Sequence, residues 1–396
     1  MAVRAKDIIT VTIETIAFGG EGLGRVETLV VFVPFTAPGD VVEVEVREAK
    51  KRYLRGRMKR LVTPSPDRVE PPCPYFRRCG GCHYQHIEYA KQVEMKGRQV
   101  SEAFERIGKF TAPPVETVLP SPATYGYRGK AEFHVERARD GAYRIGFMDV
   151  GGSRLVDIER CAIMDESINE QLTFLRRPMH APLRVDRYVI WSLTGKSEEK
   201  HVVRVVKGRE ILVPFEGFFQ ANTTLTDGLV DTVTELAAAG PGETVLDLYC
   251  GSGLFPLFLA PACRSLVGIE IDGEAVECAR LNMEKHGIEN AVFHEGDVRE
   301  VLEKEFGAGK AVDVVVLDPP RTGCEREVLD CVIGLHPSRI VYVSCDPTTL
   351  ARDARLLADG GYSLITVKPV DMFPQTKHIE AVALFKKRVQ GTGDRV

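Results

Sequence analysis

The 396-residue chain lacks any apolar run approaching the ~20 residues that a membrane-crossing helix needs. Its longest, residues 29–35 and 254–263, stop far short. Behind the opening Met-Ala-Val-Arg-Ala-Lys there is no apolar core of a secretion signal, so the expectation is an unexported, cytoplasmic protein with no membrane partner. Low-complexity tracts and internal repeats are also missing. The 44% hydrophobic and 27% charged residues sit near the globular average, which excludes extensive intrinsic disorder. In a reducing compartment the ten cysteines are expected as thiols, metal ligands or a nucleophile, and disulfides are not expected. The length allows about two to four domains at ~100–200 residues each.

What is present is charge, unevenly spread. The net charge of −4 conceals 35 basic against 28 acidic side chains before Glu216, and 17 against 28 from there on. Residues 47–60 (REAKKRYLRGRMKR) carry eight cations and one acid. Such a cluster, with Tyr53 inside it, suits the phosphates of a nucleic acid; the alternative is a solvated strand face.

Residues 6–62 read as short strands: IITVTIETI, a glycine cluster, LVVFVPF, VVEVEV and YLRGRMKRL. Period-two alternation and frequent turn signals predict a five-stranded antiparallel barrel of the oligonucleotide-binding type. Gly19, Gly20, Gly22 and Gly24 precede strand-like sequence, so they read as a barrel corner and not as a phosphate loop. Pro64, Pro66, Pro71 and Pro72 end the barrel. Residues 63–215 then mix a helix-like segment with β-rich sequence, an α+β middle domain.

From about Phe218 the pattern alternates. TVLDLY, SLVGIEI, NAVFHEG, VDVVVLD and RIVYVS are five near-continuous apolar strands, and helical segments separate most of them. This predicts a doubly wound α/β sheet with both faces covered, closed at one edge by the hairpin YSLITVKPVDM and HIEAVALFKK. After TVLDLY come Gly251 and Gly253, at the strand end where open α/β sheets bind ligands. Glu270 closes the next strand, where an acid takes ribose hydroxyls, and Asp297 closes the one after. The dinucleotide pattern G-x-G-x-x-G is absent, and these acids repel a pyrophosphate. S-adenosylmethionine, a cofactor with ribose and adenine but no phosphate, fits better. At the later strand ends stand Asp318-Pro319-Pro320-Arg321 and Cys345-Asp346-Pro347. A cysteine flanked by polar and rigid residues is a poor core residue, so Cys345 reads as an exposed thiolate nucleophile beside a methyl donor.

A second group of cysteines has different spacing. Cys73, Cys79 and Cys82 form C-x5-C-x2-C, and Cys161 follows about eighty residues later. Four thiolates suit either zinc or a [4Fe-4S] cluster, and spacing separates the two poorly.

LDLYCGSG, LDPPRTG, VYVSCDPTTLARD and DMFPQTKHIEAVALF resemble the sequence blocks of the RNA uracil-5 methyltransferases, which make 5-methyluridine in tRNA or ribosomal RNA. The barrel resembles the TRAM domain that several members carry. The resemblance implies Cys345 as nucleophile and Glu380 as base, with Gln220, Tyr249, Glu270, Asp297 and Asp318 around the cofactor and target base. It also implies that Cys73, Cys79, Cys82 and Cys161 hold a [4Fe-4S] cluster, because CPYFRRCGGCHYQH matches the pattern CPxxxxCGGCxxQH of some members. Leu254 departs from members with Asn after the glycine turn. Arg321 is expected on a phosphate or on the charge of the reacting ring, and Phe218, Phe219 and Phe373 are stacking candidates for a flipped base.

The expected architecture is therefore a TRAM-like barrel over residues 1–62, an α+β central domain with the cluster cysteines over 63–215, and a Rossmann-like methyltransferase domain over 216–396. The expected partner is RNA, 23S ribosomal RNA or tRNA, and not DNA, bound by a monomer. Three rivals fit less well. A radical methylthiotransferase uses C-x3-C-x2-C, an adenine amino-methyltransferase has no use for Cys345 and Glu380, and a non-catalytic RNA-binding scaffold needs neither.

Overall fold

The computed structural model describes residues 3–137, 143–177, 186–193, 197–198, 200–306 and 311–388. The chain forms two compact units. The first contains residues 1–99, 122–192 and 373–378, and the second contains 100–121, 193–372 and 379–396. Residues 100–121 and 193–215, read from the sequence as part of the middle domain, thus cluster with the second unit. Among the described residues no helix is long and apolar enough to cross a membrane.

In the first unit, β1 (Ile8–Ile16), β2 (Glu21–Val26), β3 (Leu29–Pro34), β4 (Val41–Ala49) and β5 (Tyr53–Thr63) close into a barrel in the order β1-β2-β3-β5-β4. Alternation decides which face is inside. Val42, Val44 and Val46 of VVEVEV are fully buried with Val11, Ile13, Val31, Val33 and Leu54, while Glu43 and Glu45 face outward to pair with Arg60 and Lys59. One pairing departs from the antiparallel expectation: β3 and β5 run parallel. A closed ring with an odd number of strands cannot alternate throughout, so one pair must run alike. The glycine cluster serves the corner. A side chain on Gly24 would meet the Thr12 carbonyl oxygen at 2.2 Å, because β1 and β2 cross closely there.

Beyond the barrel, α1 (Tyr89–Arg106) is followed by β6 (Lys130–Arg137), β7 (Tyr143–Met148), β8 (Leu155–Asp157), α2 (Glu166–Leu175) and β9 (Arg187–Trp191). The strands form a sheet in the order β8-β7-β6-β9. Its core gathers Phe133, Ile145, Ile168, Leu172 and Ile190.

The second unit opens with β10 (Ser197–Glu198), β11 (His201–Val206) and β12 (Arg209–Pro214), a small antiparallel sheet, and then α3 (Thr226–Ala237). There follow β13 (Thr244–Leu248), α4 (Leu254–Leu259), β14 (Ser265–Glu270), α5 (Gly273–Lys285), β15 (Ala291–Glu295) and α6 (Val298–Phe306). The last elements are β16 (Val314–Leu317), α7 (Arg326–Leu335), β17 (Arg339–Ser344), α8 (Pro347–Asp359), β18 (Tyr362–Val370) and β19 (Glu380–Lys387). The sheet order is β15-β14-β13-β16-β17-β19-β18, with the first five strands parallel and β19 inserted antiparallel between β17 and the edge strand β18. All four residues of β16 are buried, as expected for a strand covered on both faces. This arrangement brings the carboxyl ends of β13, β14, β16 and β17 to one edge of the sheet, together with the start of β19.

Candidate active site

At the end of β13 the backbone turns sharply. Tyr249, Gly251 and Gly253 have φ of 65°, 51° and 81°, and Gly253 starts α4, where a side chain would press on Ala279 at 3.2 Å. Leu254, the departure from the family pattern, is buried in α4. The loop is pinned from behind by Asn282 of α5, fully buried, whose Nδ2 donates to the carbonyls of Ser252 and Leu212, both at 2.9 Å. Glu270 is fixed at the end of β14, accepting from the backbone N–H of Gly251 (3.0 Å), Ile271 (2.8 Å) and Asp272 (2.9 Å). A carboxylate offers about four lone-pair sites, so Glu270 can still accept from a ligand. Asp297 caps α6 through Oδ1 and lies within electrostatic reach of the Tyr249 hydroxyl. Burial and the Cys324 thiol push the Tyr249 pKa up. Gln220 is buried in the loop between β12 and α3, and no hydrogen bond among the described residues joins it to the carboxylates.

Asp247 in β13 carries no assignment from the sequence. It is fully buried, and neither carboxyl oxygen has a partner among the described residues. Burial, then the charges of Asp318 and Glu270, hold its pKa well above the carboxylate range. An unpaired ionised carboxylate at such depth costs several kcal/mol, so the free protein keeps a proton there. Ser252 Oγ is a second buried, unpartnered group beside the loop. Asp247, Asp318 and Glu270 thus lie within electrostatic reach of one another, and a cationic ligand, such as one bearing the ammonium and sulfonium of S-adenosylmethionine, would offset that crowding of acids.

The reactive residues come from the neighbouring strands. Ser344 of β17 lies opposite Ala381 of β19, and this antiparallel register brings the adjoining residues, Cys345 and Glu380, to the same end of the pair. Cys345 is half-buried, and burial, followed by the Glu380 charge, pushes its thiol up to about 11, while Arg321 opposes the shift. The resting group is therefore a protonated thiol and not the exposed thiolate expected from sequence. Glu380 is 3% exposed, and burial with the nearby Asp318 raises its pKa well above the usual range. Asp318, at the end of β16, is raised to about 7 by burial and by Glu270. The loop carrying Arg321 is tied to α8: fully buried Asp353 accepts from the Cys324 N–H (3.0 Å) and the Tyr342 hydroxyl (2.6 Å), and Arg352 donates to the carbonyls of Thr322 and Cys324. This clamp was not legible in the sequence. Of the stacking candidates, Phe218 is 77% exposed and Phe219 is buried, both in the second unit. Phe373 belongs to the first unit, half-buried with its ring edge-on to His378 at 5.8 Å.

The four other cysteines also lie in the first unit. Cys73 N–H donates to Gln85 (3.3 Å), Gly81 N–H donates to the Cys79 sulfur (3.4 Å), and Asn169 grips Cys161 on both sides of its peptide. Burial, and then the other thiols, push Cys82 up, and burial holds Cys161 at about 11 with Cys79 and Cys73 adding. Among the described residues no three His, Cys, Asp or Glu donors stand close enough for one metal ion. The basic run of the barrel is largely self-neutralised: Arg55 pairs with Glu21, Lys59 with Glu45 and Arg60 with Glu43, and Arg55 also stacks on Phe32.

Comparison with known proteins decides the family. Residues 199–388 match the family model described as tRNA (Uracil-5-)-methyltransferase, and residues 6–59 match the TRAM domain. An uncharacterized RNA methyltransferase of Halalkalibacterium halodurans is 34% identical, over 97% of this chain and 98% of the relative. The chain belongs to the RNA uracil-5 methyltransferase family. It is accordingly an S-adenosylmethionine-dependent RNA uracil-5 methyltransferase with an N-terminal TRAM barrel. A relative from Gloeobacter violaceus, also named an RNA methyltransferase, is 35% identical over 96% of each chain. Among solved structures, the tRNA (uracil-54, C5)-methyltransferase of Pyrococcus abyssi in complex with S-adenosyl-L-homocysteine matches with a TM-score of 0.71 and 26% identity, covering 95% of this chain and all of that one.

Proposed function

We propose that this methyltransferase modifies carbon 5 of one uridine in a structured RNA, 23S ribosomal RNA or tRNA, through a covalent bond between Cys345 and the uracil. The observation that carries the reading is the β17–β19 register, which draws the thiol and a buried carboxyl to one strand end. Carbon 5 of uracil is too weak a nucleophile to take a methyl group unaided. Addition of Cys345 Sγ to carbon 6 converts the ring to an enolate whose carbon 5 is nucleophilic. S-adenosylmethionine, when bound, supplies the methyl group. Glu380 in its ionised form, which the Arg321 charge favours, then takes the proton from carbon 5, the C5–C6 double bond re-forms, and the thiolate leaves carbon 6. With a pKa of about 11 the half-buried Cys345 thiol is protonated at neutral pH, so it first gives its proton to solvent water and the thiolate then adds to carbon 6. The Arg321 guanidinium eases that step and offsets the enolate charge. Asp318 hydrogen-bonds the ring. Gly251, Gly253, Glu270, Asp297, Tyr249 and Gln220 hold the cofactor.

We also assign Cys73, Cys79, Cys82 and Cys161 to one [4Fe-4S] cluster. The mutual electrostatic influence of these thiols supports it. Methyl transfer by the route above moves no electrons to or from a redox centre, so the cluster's role is architectural. The enzyme is proposed to act as a cytoplasmic monomer.

RNA carrying 5-fluorouridine at the target tests the covalent step, because fluorine cannot leave as a cation. The wild type is expected to form a protein–RNA adduct that survives denaturing electrophoresis. An enzyme that methylates normal RNA yet yields no adduct with the fluorinated RNA contradicts the mechanism.

A further inference from the structure

The first unit contains a recess of about 510 Å³ that the reaction does not use. Four arginines line it, Arg77, Arg78, Arg144 and Arg154, together with Asp149 and Asp157. Backbone hydrogen bonds bring these distant residues together. Gly80 N–H donates to the Met148 carbonyl (2.9 Å) and Val150 N–H to the Arg78 carbonyl (3.1 Å), strapping residues 78–80 along the end of β7. Gly80 permits it, since a side chain there would meet the Asp149 carbonyl oxygen at 2.9 Å. Arg77 itself holds the left-handed conformation, with φ 69°, which a non-glycine residue seldom adopts.

The two acids are already occupied. Asp157 receives both nitrogens of Arg176 (2.6 and 2.9 Å) and the Ile145 N–H (2.9 Å). Asp149 receives the N–H groups of Ser153 (2.8 Å) and Arg154 (3.2 Å). No hydrogen bond or ion pair holds any of the four lining guanidinium groups among the described residues. Arg154 and Arg144 feel the charges of Asp149 and Asp157, but four cations face two acids, one of them already paired with Arg176, so the recess keeps a net positive charge that a bound anion would offset. The planar guanidinium binds phosphate oxygens two at a time.

We propose that this arginine recess is a docking site for the phosphodiester backbone of the RNA substrate, holding successive phosphates of a folded strand. The inference rests on the reading of the chain as an RNA methyltransferase and adds a contact separate from the catalytic residues. Arg144 and Arg154 are exposed and their side chains make no hydrogen bond or ion pair among the described residues, so their replacement spares the packing of the fold. In the full-length Arg144→Ala/Arg154→Ala protein, affinity for folded tRNA or ribosomal RNA fragments should fall ~10-fold at moderate salt, and the slope of log affinity against log salt should flatten by about one unit per lost contact. KM should rise with kcat unchanged, and Arg→Lys at both positions should restore most of the salt slope. Independently of any variant, bound RNA should protect Arg144 and Arg154 of the wild type from phenylglyoxal, read by mass spectrometry. Unchanged affinity and slope in the alanine protein, or equal modification with and without RNA, overturns the site while leaving the methyltransferase reading in place. A wild type that binds no RNA overturns both. Polyglutamate that protects the arginines as well as RNA does would assign the recess to an acidic polypeptide and overturn the RNA assignment.

Discussion

Cys345 and Cys161 are both thiols that burial pushes up to about 11, yet their surroundings prepare them for different chemistry. Cys345 stands at a strand end with one cation, Arg321, and two acids, Glu380 and Asp318, as its charged neighbours. Cys161 also has one cation, Arg128, but its other charged neighbours are thiols, Cys79 and Cys73. In the reading proposed above, the carboxyl groups beside Cys345 suit a nucleophile that needs a base, and the thiols beside Cys161 suit a metal ligand. Burial alone therefore assigns neither role, and the second charge in the environment is what distinguishes them.

The comparison breaks most visibly by substitution at each site. Cys345→Ala should reduce single-turnover methylation by ~10⁴-fold or more, with iron content and cofactor affinity unchanged. Cys161→Ala, and likewise Cys79→Ala, should do the reverse, lowering iron from about four per chain and reducing folding yield and RNA binding more than cofactor binding. Stoichiometric zinc in anaerobically purified wild type, with no visible absorption, would rule out the cluster.

Arg321 sharpens the contrast more gently. Its guanidinium lowers the Cys345 pKa, so removing it must raise that pKa and move thiol reactivity to higher pH. In Arg321→Ala the midpoint of Cys345 alkylation by iodoacetamide should shift upward from about 11, by about one pH unit. A downward shift, or none, would remove Arg321 from the thiol's environment.

Much of this was legible from the chain itself. The alternation of VVEVEV announced its inward valines, and the five apolar runs announced the parallel sheet, because both depend on neighbours within a few residues. Longer-range pairing was not legible. Arg60 and Glu43 are seventeen positions apart, so the basic run looked free when most of its cations are paired. Asp247 hid within an apolar strand because burial on both sheet faces leaves no period to mark a polar exception. The Asp353 clamp and the arginine recess each join segments far apart in sequence, and local pattern carries no sign of either.

The smallest effect is expected at the barrel. Lys51 and Arg52 are exposed and make no hydrogen bond or ion pair among the described residues, unlike Arg55, Lys59 and Arg60. Lys51→Ala/Arg52→Ala should flatten the salt dependence of RNA binding by up to about two units without touching either thiol site. An unchanged slope would make the run a solvated face.

The pairing of Cys345 with Glu380 is tested most directly by Glu380→Gln. This variant keeps the nucleophile and the methyl donor but cannot remove the proton from carbon 5. Incubated with target RNA and S-adenosylmethionine labelled in the methyl group, it should accumulate a labelled protein–RNA adduct stable to denaturing electrophoresis, while releasing little product. Normal release of 5-methyluridine RNA with no adduct would contradict the assignment of Glu380 as the base that resolves the Cys345 intermediate.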